Sequence, residues 1–294
     1  MKLNFTLFIF LSCYFYSNTT DAQLRITGGT GVSGFMGDLQ TERVPVFKSV
    51  SANFSLGATY DLQQQLRARL NLSIMGLQAD DKNSSKVDRQ ARNLNFKSSV
   101  WEAAVMAEYD FMDRDIYNIV PYVFGGIGVF HFNPYTYDSI VGKVYLHDVG
   151  TSGQYLGLSG YPQPYKRTAI DLPIGLGIRY EVSESMAIGF ELNYRILFTD
   201  WVDDVSTAAY VDPTLFYQSS YYTANNNYYA DLASRLSYRG TPKYSRSLNR
   251  GSTASKDAFY SFQITLAIKL DGISFGGGNP FSGASYNRSR HYTY

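Results

Sequence analysis

Cysteine is almost absent: Cys13 is the only one in 294 residues. No intramolecular disulfide can form, and no thiolate metal cluster is possible. Histidine is nearly as scarce, with His131, His147 and His291 alone. A surplus of one charge sign is missing too, because 26 Lys plus Arg stand against 25 Asp plus Glu, a net charge of +1. That excludes the strong basic field of a nucleic-acid binder. Beyond the N-terminus no run reaches the roughly 18 apolar residues of a transmembrane helix. Helical periodicity is nearly absent throughout. Disorder is not the alternative, since 16% of residues are aromatic and Tyr alone numbers 26.

The N-terminus reads as an address. Met1-Lys2 supplies a short positive region, Leu3 to Tyr16 is almost wholly apolar or aromatic, and Thr20-Asp21-Ala22 sets small residues before a cut ahead of Gln23. This is the layout of a cleaved secretory signal over residues 1–22. A lipoprotein signal at Cys13 fits less well, because Phe10-Leu11-Ser12 matches it poorly.

The rest alternates with period two. In 50–60 every even position is apolar; Leu66 to Ile74, Ile170 to Val182, Ile188 to Phe198 and Tyr260 to Leu270 do the same. Three less regular runs, Leu24 to Gly34, Val100 to Phe111 and Pro121 to Phe132, bring the total to eight strands. The runs last 10 to 14 residues, longer than a soluble strand of about 5–6 and close to the roughly 9–11 that cross a bilayer tilted. Connections alternate short (61–65, 112–120, 183–185) and long (36–46, 78–93, 133–168, 199–257). The sequence therefore predicts an all-β fold: an eight-stranded antiparallel transmembrane β-barrel over 23–270. Long loops would face outward, and short turns and both chain ends would face the periplasm of a Gram-negative cell. Residues 271–294 read as a flexible periplasmic C-terminal tail.

The predicted inner face carries Arg67, Arg69, Glu102, Glu108, Asp171, Arg179, Glu181, Glu191 and Arg195. Four positive and five negative charges suit a salt-bridge plug in a narrow lumen; an ion path or an acid/base pair is the other reading. No catalytic residue, metal site or cofactor stands out, and neither an enzyme nor a small-molecule substrate is expected. His147 has Asp148 and Ser152 nearby, but such residues abound in these loops. Asp203-Asp204 with Asp200 has oxygen ligands for Ca2+ without a known loop spacing, so a solvated acidic turn is expected. Gly125, Gly126 and Gly128 lack the helix of a phosphate cradle and signal close packing. The two longest loops hold 14 of the 26 tyrosines and are expected to be partly ordered, either as a self-packed cap or for protein or glycan contact. In the tail, Phe281, Tyr286, Arg288, Arg290 and Tyr292 form a candidate contact for a periplasmic partner.

Several segments carry a family resemblance: Arg92 to Ser98, Pro121 to Pro134, Leu172 to Gly177, Gly189 to Arg195 and Phe198 to Ser206. Together they resemble the Bacteroidetes outer-membrane β-barrel family that includes PorG of the type IX secretion system. The likeness spans roughly Leu24 to Leu270. It implies a non-enzymatic integral component or anchor of a type IX protein secretion and gliding motility complex. The implied partners are outer-membrane lipid and a periplasmic ring made of a lipoprotein and its partner, which turns 61–65 and 112–120 would touch; the tail lies outside the matched span, so its contact is expected from composition alone. The alternatives are a surface adhesin or structural OmpX-like barrel without a secretion role, or a narrow pore.

Overall fold

Strict period two makes long strands, and long strands with unpaired edges must close in hydrocarbon. The computed structural model describes residues 24–39, 49–240, 249–252 and 256–270. The expected signal peptide, the tail and its five contact residues, and His291 lie outside the described residues.

Among the described residues there are ten strands: β1 (Leu24–Met36), β2 (Ser51–Asp61), β3 (Leu66–Asp80), β4 (Asn95–Asp110), β5 (Ile119–His131), β6 (Tyr135–Asp138), β7 (Gly142–Tyr145), β8 (Thr168–Glu181), β9 (Met186–Leu197) and β10 (Ala258–Leu270). Eight of them close a ring in the order β1-β2-β3-β4-β5-β8-β9-β10, with β10 returning antiparallel onto β1 from Leu24↔Leu270 to Met36↔Ala258. The small hairpin β6–β7 hangs outside the ring, joined to the upper end of β4 where Lys97 pairs with Tyr135. The eight barrel strands agree with the predicted ones; β3 and β4 run further, to Asp80 and from Asn95.

Alternation sorts the two faces. Leu70, Leu72 and Ile74 on β3, Trp101 and Val105 on β4, and Ile174, Leu176 and Ile178 on β8 point outward and are exposed, Trp101 at 59% and Val105 at 60%. An apolar band around the whole wall is untenable in water and is what lipid requires. Aromatic residues border it: Tyr109, Phe111, Tyr117 and Tyr180 toward the short turns, Phe54, Trp101 and Phe198 toward the long loops. The protein is thus a barrel of the outer-membrane type, with turns 62–65, 111–118 and 182–185 at the end where β1 starts and β10 stops.

Above the membrane the long loops build a cap with its own core. It contains α1 (Val87–Arg92), α2 (Leu146–Val149), α3 (Pro213–Phe216) and α4 (Ser220–Leu236). Leu39, Leu94, Leu146, Val202, Phe216, Tyr222, Leu232 and Leu236 are buried together there, continuous with Phe35, Phe96 and Phe130 at the barrel mouth. The 17-residue α4 departs from the absence of helical pattern in the sequence. Its buried positions Tyr222, Ala230, Ala233 and Leu236 keep one face. Asn226 and Asn227, at φ 59° and 63°, distort it midway and blur the periodicity.

Candidate functional site in the lumen and cap

Inward positions of neighbouring strands converge in so narrow a barrel that charges must pair or be expelled. Near the periplasmic mouth, Arg25 donates to Glu181 at 2.9 Å. Arg114, from the turn after β4, reaches back to Asp61 with two bonds of 2.9 and 2.5 Å. Deeper in, Arg67 pairs with Asp110, with Glu108 at 3.3 Å and with Asp61 at 3.5 Å. Arg179 pairs with Glu108 and lies 4.4 Å above the Tyr122 ring.

At mid-barrel Arg69 grips Glu191 with two bonds of 2.6 and 3.0 Å. Glu191 also accepts from Tyr122 at 2.7 Å and Gln263 at 2.6 Å, and Gln263 in turn accepts from Asn53 and Ser55 at 3.0 Å each. Above this, Arg195 holds Glu102 bidentately at 3.0 Å and donates to Ser261 at 2.6 Å. Asp171 lies beside Glu102, in the space left by Gly128, where any Cβ would collide with the Asp171 carboxyl. Gly126 has the same role against the β4 backbone at Val105 and Met106.

All nine sequence-predicted charges lie inside: eight are buried and Glu181 is half-buried at the mouth. The network also takes in Arg25, Asp61, Asp110, Arg114, Tyr122 and Gln263. Arg25, Asp61, Asp110, Tyr122 and Gln263 share the inward period of their strands; Arg114 sits in a turn, where periodicity is silent. The space around Arg69, Glu108 and Arg179 is about 10 Å³, room for about one water. Phenylalanines shut the upper end: Phe35 against Phe96 at 4.8 Å, Phe130 against Phe259 at 5.5 Å and Phe132 at 5.6 Å.

The acidic segment 200–206 is not a solvated turn, which corrects the expectation from sequence. Asp203 and Asp204 are fully buried, and Asp200 is 3% exposed. Each carboxylate ties down a different stretch. Asp203 accepts from the Leu39 and Val205 backbone at 3.2 and 2.9 Å. Asp204, in the left-handed region, accepts from Thr151, Gln154 and Tyr165. Asp200 accepts from Ser206 at 2.6 Å, and Asp257 from the Val202 backbone at 2.9 Å. Arg250, also buried, spans Ser152, Thr151 and the Asp204 carbonyl at 2.6, 2.6 and 3.1 Å. Burial, then mutual repulsion with Asp38, raises the Asp203 carboxyl well above its usual range; burial likewise raises Asp38 and Asp257 and brings Asp200 to about 6. Among the described residues no group of three or more His, Cys, Asp or Glu is arranged to hold a metal ion.

The loop tyrosines are largely committed inside the cap. Tyr155 stacks on Tyr221 at 3.9 Å, Tyr165 on Trp201 at 4.9 Å, and the Tyr222 hydroxyl donates to the Gly150 carbonyl at 2.6 Å. His147 faces Asp148 at 3.2 Å and the Tyr165 carbonyl at 3.0 Å, while Ser152 is held by Arg250. These residues therefore do not form a nucleophile–base pair. His131 lies outside the barrel, 3.0 Å from Thr168.

A family model described as a domain of unknown function, DUF6089, matches residues 5–230. No curated protein matches the chain. Among solved structures it is similar to Neisserial surface protein A (8% identity, TM-score 0.43, 85% of this chain and 99% of that one). It is also similar to the outer membrane protein OprG of Pseudomonas aeruginosa (11%, 0.42, 85% and 96%). A third is Ail, the attachment invasion locus protein of Yersinia pestis, crystallised with the heparin analogue sucrose octasulfate (10%, 0.39, 85% and 99%).

Proposed function

The chain belongs to the DUF6089 family, and we propose that it acts as a non-enzymatic anchor in the outer membrane for a type IX protein secretion and gliding complex. The observation that carries this is the sealed lumen. A barrel filled by ion pairs and closed by phenylalanines has no passage to offer, so its work falls to its two ends and its wall. At the periplasmic end the turns 62–65 and 111–118 expose Leu62, Met112, Ile116 and Tyr117, side chains suited to a protein contact. The likeness of segments 92–98, 121–134 and 198–206 to the Bacteroidetes family that includes PorG supports a ring lipoprotein and its partner as the proteins bound. The tail residues Phe281, Tyr286, Arg288, Arg290 and Tyr292 are proposed to share that contact.

Cross-linking in intact cells, affinity purification from the native outer membrane and mass spectrometry test this. Recovery of a periplasmic lipoprotein and its partner, reduced on deleting Asp271–Tyr294, is expected. Recovery of the barrel alone counts against it. A second reading, a surface or structural barrel without a secretion role, is favoured by the cap, whose core and buried polar hub hold a fixed surface outside the cell. Under that reading deletion of the tail is silent.

A further inference from the structure

The lipid-facing wall is uneven. Pairing register places Phe54, Ile74, Trp101, His131 and Thr168 in one row across β2, β3, β4, β5 and β8. The row beneath reads Leu56, Leu72, Ala103, Val129 and Ile170. Ala103 is the small residue among large ones, and Trp101 stands directly over it. Between the two rows lies an apolar groove of about 560 Å³, walled by Phe54, Leu72, Ile74, Trp101 and Val129 and rimmed by His131. Its volume falls in the range of small-molecule sites, about 300–1,000 Å³.

Polarity changes abruptly above it. The next row holds Gly76 paired with Ser99, and the one after that Gln78, Lys97 and Tyr135. Lys143 crosses from β7 to lie 4.0 Å from the Tyr135 ring centroid and 4.9 Å from that of Tyr145. A polar cleft of about 270 Å³, lined by Gln78, Asn95, Lys97 and Tyr137, opens at this level. Asp80, the carboxylate on its border, is turned to the Lys82 backbone at 3.0 Å. Lys97, Lys143 and, two residues before Thr168, Lys166 are all exposed. Four residues of strand separate Trp101 from Lys97, about 13 Å along the chain. At a tilt of about 40° this is about 10 Å along the membrane normal, in the headgroup zone.

We infer that this wall binds an anionic lipid of the outer leaflet, one acyl chain lying in the groove under Trp101 and the phosphate held by Lys97 and Lys143. The groove faces hydrocarbon, so an acyl chain is the occupant at hand. The cations above it select a negative headgroup over a zwitterionic one. This goes beyond the anchoring role and holds with or without a periplasmic ring.

The test uses the whole barrel in phosphatidylcholine nanodiscs doped with brominated phosphatidylglycerol or, separately, brominated phosphatidylcholine at equal mole fraction. Bromine quenches Trp101, while Trp201 in the cap supplies a constant background. About thirtyfold enrichment of phosphatidylglycerol around Trp101 is expected, given two lysines at the headgroup. The variant K97A/K143A, whose changes are on the surface and whose folding is checked by heat-modifiable migration, is expected to lose the enrichment. Added inorganic phosphate is expected to leave it intact, because the chain and not the phosphate alone seats the lipid. Equal quenching by the two lipids overturns the proposal, as does enrichment that survives K97A/K143A or vanishes with free phosphate. Native mass spectra showing a second copy of the chain in place of bound lipid also overturn it.

Discussion

Replacing Arg69 by Met probes the lumen where it is most tightly built. Arg69 is 2% exposed, and its side chain makes both bonds to Glu191. Methionine keeps much of the volume and removes the charge. Glu191 is then left with Tyr122 and Gln263 as neutral donors, a buried carboxylate without its counter-ion. Breaking a buried pair from one side costs about 3–5 kcal/mol. Glu191→Leu is expected to cost about 2–3 kcal/mol, because Arg69 retains Glu108 at 3.5 Å while Tyr122 and Gln263 lose an acceptor. The double variant removes both charges, so the two single costs are expected to exceed it by at least about 2 kcal/mol. Urea unfolding in lipid vesicles, followed by tryptophan emission and extrapolated linearly, gives the three values. A cost below about 1 kcal/mol for Arg69→Met, or simple additivity, would refute a structural ion-pair plug.

The remaining expectations concern the pore, the cap and the glycines. In planar bilayers the barrel is expected to give no resolved conductance steps; steps that disappear in Arg179→Ala or Glu191→Leu would establish a path instead. Asp204→Ala leaves buried Arg250 without a carboxylate, at a cost of about 3–5 kcal/mol, and limited proteolysis is expected to cut the loop at 199–257 while the barrel still migrates as folded. Asp200 titrates at about 6 in the folded cap against 3.8 ordinarily, raised by burial and then by Asp38, against Ser206 and Lys256, which lower it. The folded form thus holds a proton that the unfolded chain has released, and cap stability is expected to fall as pH rises from about 4 through about 6. Asp38, Asp203 and Asp257 shift the same way, opposed at Asp38 by Arg89, Arg92 and Arg250. Hydrogen exchange of cap amides, corrected for intrinsic rates, checks this, and slower exchange at pH 8 than at pH 5 contradicts it. Gly126→Val drives a side chain into the β4 backbone at Val105, and loss of the heat-modifiable band is expected.

Period two made the eight strands, their facing and the placement of the loops readable, because lipid outside and a packed polar lumen leave each strand one apolar and one mixed face. Pairing was not readable in the same way. Arg69 and Glu191 stand 122 positions apart, and only barrel closure and register set them opposite each other. The cap was harder still. Asp200, Asp203 and Asp204 read locally as a polar surface turn, and they are buried by segments arriving at Leu39, Thr151 and Arg250. Helix α4 was hidden by tyrosines, which suit either strand or loop, and by the distortion at Asn226 and Asn227.

The most direct measurement is the accessibility of a nitroxide at position 105, introduced as Val105→Cys in a Cys13→Ser background and reconstituted in lipid vesicles. Val105 sits on the outer face near the middle of β4. High collision with oxygen and almost none with a water-soluble nickel chelate is expected. Chelate collision at the level of an exposed loop site would contradict a wall sealed against lipid, and the lipid site and membrane anchoring would fall with it.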